Sequence, residues 1–169
     1  MRLATLCLAI SCAAPAVSAD QLEVRFMEGA PKDRFIFANA SACPLEAAVI
    51  TLDLAGSAGG LIFDVTGTGA GVSVYQPFEV VAGAESLQAL PDVLDGDVGL
   101  SLAVAGLAPG HEIAFTIDVD DTINRTATMV ADSEIRGASV VLDTQGGRYI
   151  GTFNGTSSAT LALPPCPNA

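Results

Sequence analysis

Residues 111–121 read HEIAFTIDVDD, and their large apolar members recur every second position. Ile113, Phe115, Ile117 and Val119 fall on one side of an extended chain, while Ala114, Thr116 and Asp118 fall on the other, because successive strand side chains point to opposite faces. A helix would scatter the four apolar residues around its axis. The stretch is therefore a half-buried strand that runs into three aspartates, Asp118, Asp120 and Asp121.

The same period extends outward in both directions. Ile50, Leu52 and Leu54 alternate in AAVITLDL, Leu61, Phe63 and Val65 in LIFDVT, and Leu100, Leu102 and Val104 in GLSLAVAG. Between these runs lie GSAGG, TGTGAG, PDVLDGD, LAPGHE and TQGG, turn formers at the roughly 8–12 residue spacing of a sandwich or barrel. About ten strands are expected on that rule. Helical spacing has little support, since its best stretch, AGAESLQALPDVL, is short and meets Pro91. The pattern predicts an all-β protein, an antiparallel two-sheet sandwich of immunoglobulin-like architecture.

At the start of the chain, MRLATLCLAISCAAPAVSA combines Arg2, an apolar run from Leu3 to Ala14 and the small-residue ending Val17-Ser18-Ala19. That is the pattern of a cleavable secretory signal. Residues 1–19 are read as the signal peptide, with Asp20 as the mature N-terminus; a lipidated Cys12 is the rival reading, and Ala9-Ile10-Ser11 matches its usual lead poorly. The apolar run is too short to span a bilayer, which takes about 20 apolar residues. Residues 20–169 then form a single β-sandwich domain, long enough to bury its own core. The expected location is secreted or periplasmic.

Composition narrows the partners. Lys and Arg total 7 against 19 Asp and Glu, a net charge of −12, and removing the signal takes away Arg2 and no acid. Such a chain is repelled by nucleic acid and by anionic membranes, and attracts cations or basic partners. Partners are therefore expected to be an unidentified protein or cell-surface component, with no nucleic acid and no membrane span. Cleavage would also remove Cys7 and Cys12, leaving Cys43 and Cys166 as an even pair in an oxidising compartment. A Cys43–Cys166 disulfide is expected, tying the C-terminal tail to an N-terminal loop.

Catalytic constellations are scarce. His111 is the sole histidine, it lies in the turn APGHE, and no Gly-x-Ser-x-Gly accompanies it. One histidine and two paired cysteines cannot supply a zinc site. TGTGAG leads into the alternating segment VSVYQPFEVV, where a phosphate loop would need a helix N-terminus, so it reads as a glycine turn. No catalytic residue is assigned and no enzyme is expected. Asn-x-Ser/Thr triplets occur at Asn39, Asn124 and Asn154 and are read as unmodified.

The acidic strand end has two readings. Asp118 and Asp120, two apart, share a face, and with Asp121 at the following turn their oxygens could converge on calcium, which takes six to eight oxygens from carboxylates, carbonyls and water. The spacing is not that of an EF-hand, because the sixth residue from Asp118 is Ile123 and the twelfth is Met129. Asp53, Asp64, Asp95, Asp97 and Asp143 could complete such a site if their loops reach the same end. Alternatively, the aspartates solvate a turn and blunt a strand edge.

Three stretches carry a family resemblance: DRFIFANASAC (33–43), LAGSAGGLIFDVTGTGAGVSVYQPFEVV (54–81) and LAPGHEIAFTIDVDDT (107–122). They resemble secreted bacterial aggregation factor core proteins, named after the sponge aggregation factor. The resemblance implies a Calx-beta-like sandwich, a calcium site at Asp118, Asp120 and Asp121, and a part in cell adhesion. It carries no catalytic residue. A secreted, calcium-binding adhesion module and a purely structural extracytoplasmic sandwich without a metal both remain open on the sequence.

Overall fold

The computed structural model describes residues 20–71, 74–123 and 129–166. The signal-peptide reading of residues 1–19, the Cys12 alternative and the Asn124 triplet lie outside them. Two five-stranded antiparallel sheets face one another, as the alternation predicts. The first is ordered β12 (Ser158–Ala162), β1 (Gln21–Met27), β2 (Asp33–Asn39), β8 (Glu112–Ile117), β5 (Glu79–Ala82). The second is ordered β11 (Gly147–Thr152), β10 (Ser139–Thr144), β3 (Ala48–Asp53), β7 (Gly99–Val104), β6 (Leu87–Ala89).

Register places the large apolar residues in rows across each sheet. Phe26 faces Phe35, which faces Phe115, and Val24 faces Phe37, which faces Ile113. In the other sheet Leu52 pairs with Leu100 and Val140, and Ile50 with Leu102 and Leu142. All of these are buried between the sheets, so the period-two pattern becomes one continuous core. Phe115 lies at its aromatic centre, with ring centroids 5.4 Å from Phe35, 5.9 Å from Phe37 and 4.7 Å from Phe78. Offset and tilted rings at such distances add to the area they bury.

Two details position the acidic residues. β8 stops at Ile117, and the chain leaves the large sheet as β9 (Val119–Asp120), pairing with β4 (Ile62–Phe63) in a separate two-stranded ladder. Asp118 sits at the break, where its N–H donates to the Gln76 carbonyl and its own carbonyl accepts from the Asp64 N–H. The segment expected to be least strand-like, AGAESLQALPDVL, holds a 3-10 turn at Ala84–Ser86 followed by β6. One short helix, α1 (Asp132–Ile135), buries Ile135 against the core.

The disulfide joins Cys43 to Cys166, 123 residues apart. It closes the pole opposite the aspartates, since β2 ends there at Asn39 and begins at Asp33 beside Ile117. Asn39 is buried, and its amide donates to the carbonyls of Cys43 and Leu107, so that triplet is part of the loop's framework and offers no glycan site. Among the described residues no helix is long and apolar enough to cross a membrane. The disulfide is compatible with an extracytoplasmic protein.

Phe115→Ala should cost about 3–5 kcal/mol, the loss of a buried ring plus the cavity left behind. Ile150→Ala, at a side chain 62% exposed, should change stability by less than about 0.5 kcal/mol. Urea unfolding of both variants checks the assignment of inner and outer faces, and comparable losses would contradict it.

Candidate functional site

The β4–β9 ladder determines which acids meet. Ile62 faces Asp120 and Phe63 faces Val119, and the Asp64 N–H bonded to the Asp118 carbonyl continues the register by one step. By alternation Asp64, Asp118 and Asp120 share a face. The sequence-predicted pair Asp118 and Asp120 is thus brought together, and Asp64 and Asp95 join it. The charges acting on Asp64 are those of Asp120, Asp95 and Asp118; Asp121 is not among them and follows Val119 to the other side.

The solvated-turn picture does not fit the burial. Asp120 and Asp121 are only 5% and 6% exposed and Asp64 has no exposed surface at all. The reason is the departure of β9 from the large sheet: its outward face is covered by the loop after β4 and by the glycine run. Asp95 organises that cover. Its Oδ1 accepts from the N–H groups of Val65 and Thr66 at 2.9 and 3.0 Å, and its Oδ2 from Ala70 at 2.7 Å.

The glycines are what let the loop lie on the carboxylates. A Cβ on Gly71 would sit 2.2 Å from Asp64 Oδ2 and 2.3 Å from Asp120 Oδ2, and a Cβ on Gly69 would meet the Asp95 carboxylate. A side chain at either place would have to push those carboxylates aside. Residues 67–71 are therefore a backbone cover over an acidic nest, and the next element among the described residues is the strand β5.

Asp64 is the group that this arrangement leaves unsatisfied. Neither of its oxygens accepts a hydrogen bond from an N–H or O–H donor. Its side chain faces the Asp95 carboxylate, with which it can bond only when one of the two carries a proton. Asp118 Oδ2 is likewise buried without a donor. Asp53, Asp97 and Asp143 do not contribute: the first two accept from the backbone of Ala55 and Leu94, and Asp143 pairs with Arg148.

A further pair extends the cluster. Asp33, buried at the start of β2, accepts from the N–H groups of Val119 and Gly29 at 2.9 and 3.2 Å and shares a side-chain hydrogen bond with Glu28. Glu28 in turn accepts from Val130 at 2.9 Å and adds its charge to the field on Asp118. Neither Glu28 nor Asp33 is marked by any local pattern, because their place depends on β2 pairing with β8.

No family model and no curated protein matches the sequence. Among solved structures, a family GH18 chitinase from Chromobacterium violaceum is similar over 85% of this chain, which spans 20% of that one, with a TM-score of 0.37 and 12% identity. A likeness that slight carries no argument about fold or chemistry.

The electrostatics follow from burial and crowding. Burial, the proton shared with Asp95 and the charges of Asp120, Asp95 and Asp118 raise Asp64 to about 7. Burial and the charges of Asp120 and Glu28 raise Asp118 to about 7; burial and Glu28 raise Asp33 to about 8. Asp95 goes the other way, held at about 2 chiefly by the Ala70 N–H and by those of Val65 and Thr66. Between its ordinary pKa and its raised one, each of the three elevated groups binds more protons folded than unfolded, so stability falls as pH rises through that window. The depressed Asp95 contributes stability that disappears as pH falls below about 4. In chelator, the melting temperature should therefore peak near pH 4–5 and decline toward pH 8. Asp64→Asn should flatten that decline more than Asp53→Asn does. An equal slope in both variants would assign it to general charge repulsion instead.

Proposed function

We propose that this protein is a secreted, non-enzymatic β-sandwich module that holds calcium at its acidic pole and serves in adhesion or another cell-surface interaction. One observation carries the calcium reading: Asp64 is wholly buried, its oxygens have no donor, and its Oδ2 converges with that of Asp120 beneath Gly71. A buried carboxylate without a donor is costly unless a proton or a cation neutralises it. Asp64 and Asp120 would be the first ligands and Asp118 a third, with carbonyls and water completing the shell that calcium accepts. The fit is one of chemistry and placement. Among the described residues no three His, Cys, Asp or Glu side chains are gathered as a ready metal group, so a shift of side chains would accompany binding.

The surface-interaction role rests on the resemblance of residues 33–43, 54–81 and 107–122 to aggregation factor core proteins. Export rests on the signal pattern of residues 1–19 and agrees with the disulfide. The non-enzymatic reading is supported by His111, which is exposed in its turn with Nδ1 3.2 Å from the Pro109 carbonyl, at the pole opposite the carboxylates. The same absence of a ready three-acid group favours a second reading. In it the domain is purely structural and Asp64 stays protonated against Asp95.

Calcium titration separates the two. At neutral pH and constant ionic strength, calcium should raise stability by about 1.4 kcal/mol once free ligand is ten times Kd, with Kd near the 10⁻⁴–10⁻³ M of extracellular sites. Magnesium, which demands a tighter octahedral shell, should do less. Asp64→Asn and Asp120→Asn should each abolish the calcium-specific shift, and Asp64→Asn should leave the calcium-free protein as stable or more so. Asp121→Asn should keep the shift. If wild type responds to calcium no more than to magnesium and salt, the structural reading stands.

A further inference from the structure

The pole closed by the disulfide holds a cavity of about 530 Å³, within the range of small-molecule sites. Three segments distant in sequence build it: the β2–β3 loop, the tip of the β10–β11 hairpin, and the C-terminal tail. Its apolar walls come from Pro44, Leu45, Leu163, Pro164 and the ring of Tyr149. Glu46 is the one charged residue among the described residues that line it.

These walls are fixed in advance. Leu45 exchanges two backbone hydrogen bonds with Leu107, at 2.9 and 2.8 Å. The tail is held by the Leu163 N–H on the Asp20 carbonyl at 2.9 Å, by the Cys166 N–H on the Asp20 carboxylate at 3.3 Å, and by the Cys43–Cys166 bond. A preformed concave surface loses little entropy when a ligand enters. Its polar side chains are partly committed: Ser41 bonds to Asn39 and to the Cys43 carbonyl, and Thr144 to Gly147 and Gly146.

We infer that this cavity is a binding site for a small organic cation, an ammonium carried on an apolar body. The apolar walls receive the body. Glu46 receives the charge: among the described residues no Lys, Arg or His lines the cavity and no ion pair engages its carboxylate. An aromatic ring and a carboxylate in a largely apolar site attract a cation together, and the protein's net charge of −12 draws it in. Anions meet both Glu46 and that field. The site is independent of the acidic pole and of any calcium there.

Cyclohexylammonium and cyclohexanol, alike in shape and different in charge, test the inference by saturation-transfer NMR titration of the oxidised protein in chelator. The ammonium should bind about three-fold more tightly than the alcohol, as one partly exposed charge pair provides, and cyclohexanecarboxylate should bind least. Glu46→Gln should bring the ratio of ammonium to alcohol close to one. Glu85→Gln, an exposed acid away from the cavity, should keep it, which separates the site from bulk charge. Leu163→Ala should weaken both ligands, as should the Cys43→Ser/Cys166→Ser double variant by freeing the tail wall; Leu163→Ala supplies this check if the double variant unfolds. Equal binding of ammonium and alcohol to wild type, no saturable binding of either, or a preference that survives Glu46→Gln would each overturn the assignment.

Discussion

A carboxylate with no exposed surface and no hydrogen-bond donor is the constraint around which the acidic pole is organised. Asp64 cannot be ionised alone in that position without a cost of several kcal/mol, so a positive charge must be supplied to it. Its neighbours cannot supply one, since Asp95, Asp118 and Asp120 are themselves acids. Asp95 already has three N–H donors and stays ionised. The choice narrows to a proton shared with Asp95 or a cation shared with Asp120. Both explain why the loop above is made of glycine, because either requires the backbone to press onto the oxygens where a side chain would collide.

That pole is tied to the core by the break at Asp118. Ile117 is the last residue to bury itself in the large sheet, and Val119 begins the small ladder. The Asp33 carboxylate bridges the two by accepting the Val119 N–H, a bond between β2 and β9 that spans 86 residues of sequence. Placement of the cluster therefore depends on the same register that stacks Phe35 on Phe115. Loss of that packing would be felt at the acids, whereas a change among the acids need not reach the rings.

Much of the sandwich was legible because its signal is local. Ile113, Phe115 and Ile117 alternate with smaller or polar residues, and that pattern marks the inner face; that Ala114 and Thr116 on the outer face are buried as well, so that the strand is not half-exposed, is beyond what alternation shows. The disulfide was legible too, by parity of the two cysteines that remain after residue 19. Exposure at Asp120 was not, because alternation separates two faces without saying whether a further layer covers the outer one. Asp64 stood out only as a candidate conditional on its loop reaching the same end; Glu28 and Asp33 did not stand out at all. Their meeting depends on which strands pair, and that information is spread over residues 28, 33, 64, 95 and 118. The 3-10 turn and β6 within AGAESLQALPDVL show the same limit, since pairing with β7 overrides a weak local preference.

The cavity at the other pole lies further still from anything periodicity can reveal. Its lining comes from residues 41–47, 144–149 and 163–165, and no one of these segments has a pattern that marks a ligand site. What they share is the disulfide, which brings the tail back over the loop that follows β2. A cross-link this long is usually credited to stability, through the entropy it removes from the unfolded chain. Here it also builds one wall of a concave surface, so the bond has a geometric consequence that persists in the folded state. The two poles divide the protein's charge chemistry accordingly: at one end carboxylates are buried and compete for a single neutralising partner, and at the other Glu46 is the one charged residue among the described residues that line a largely apolar hollow.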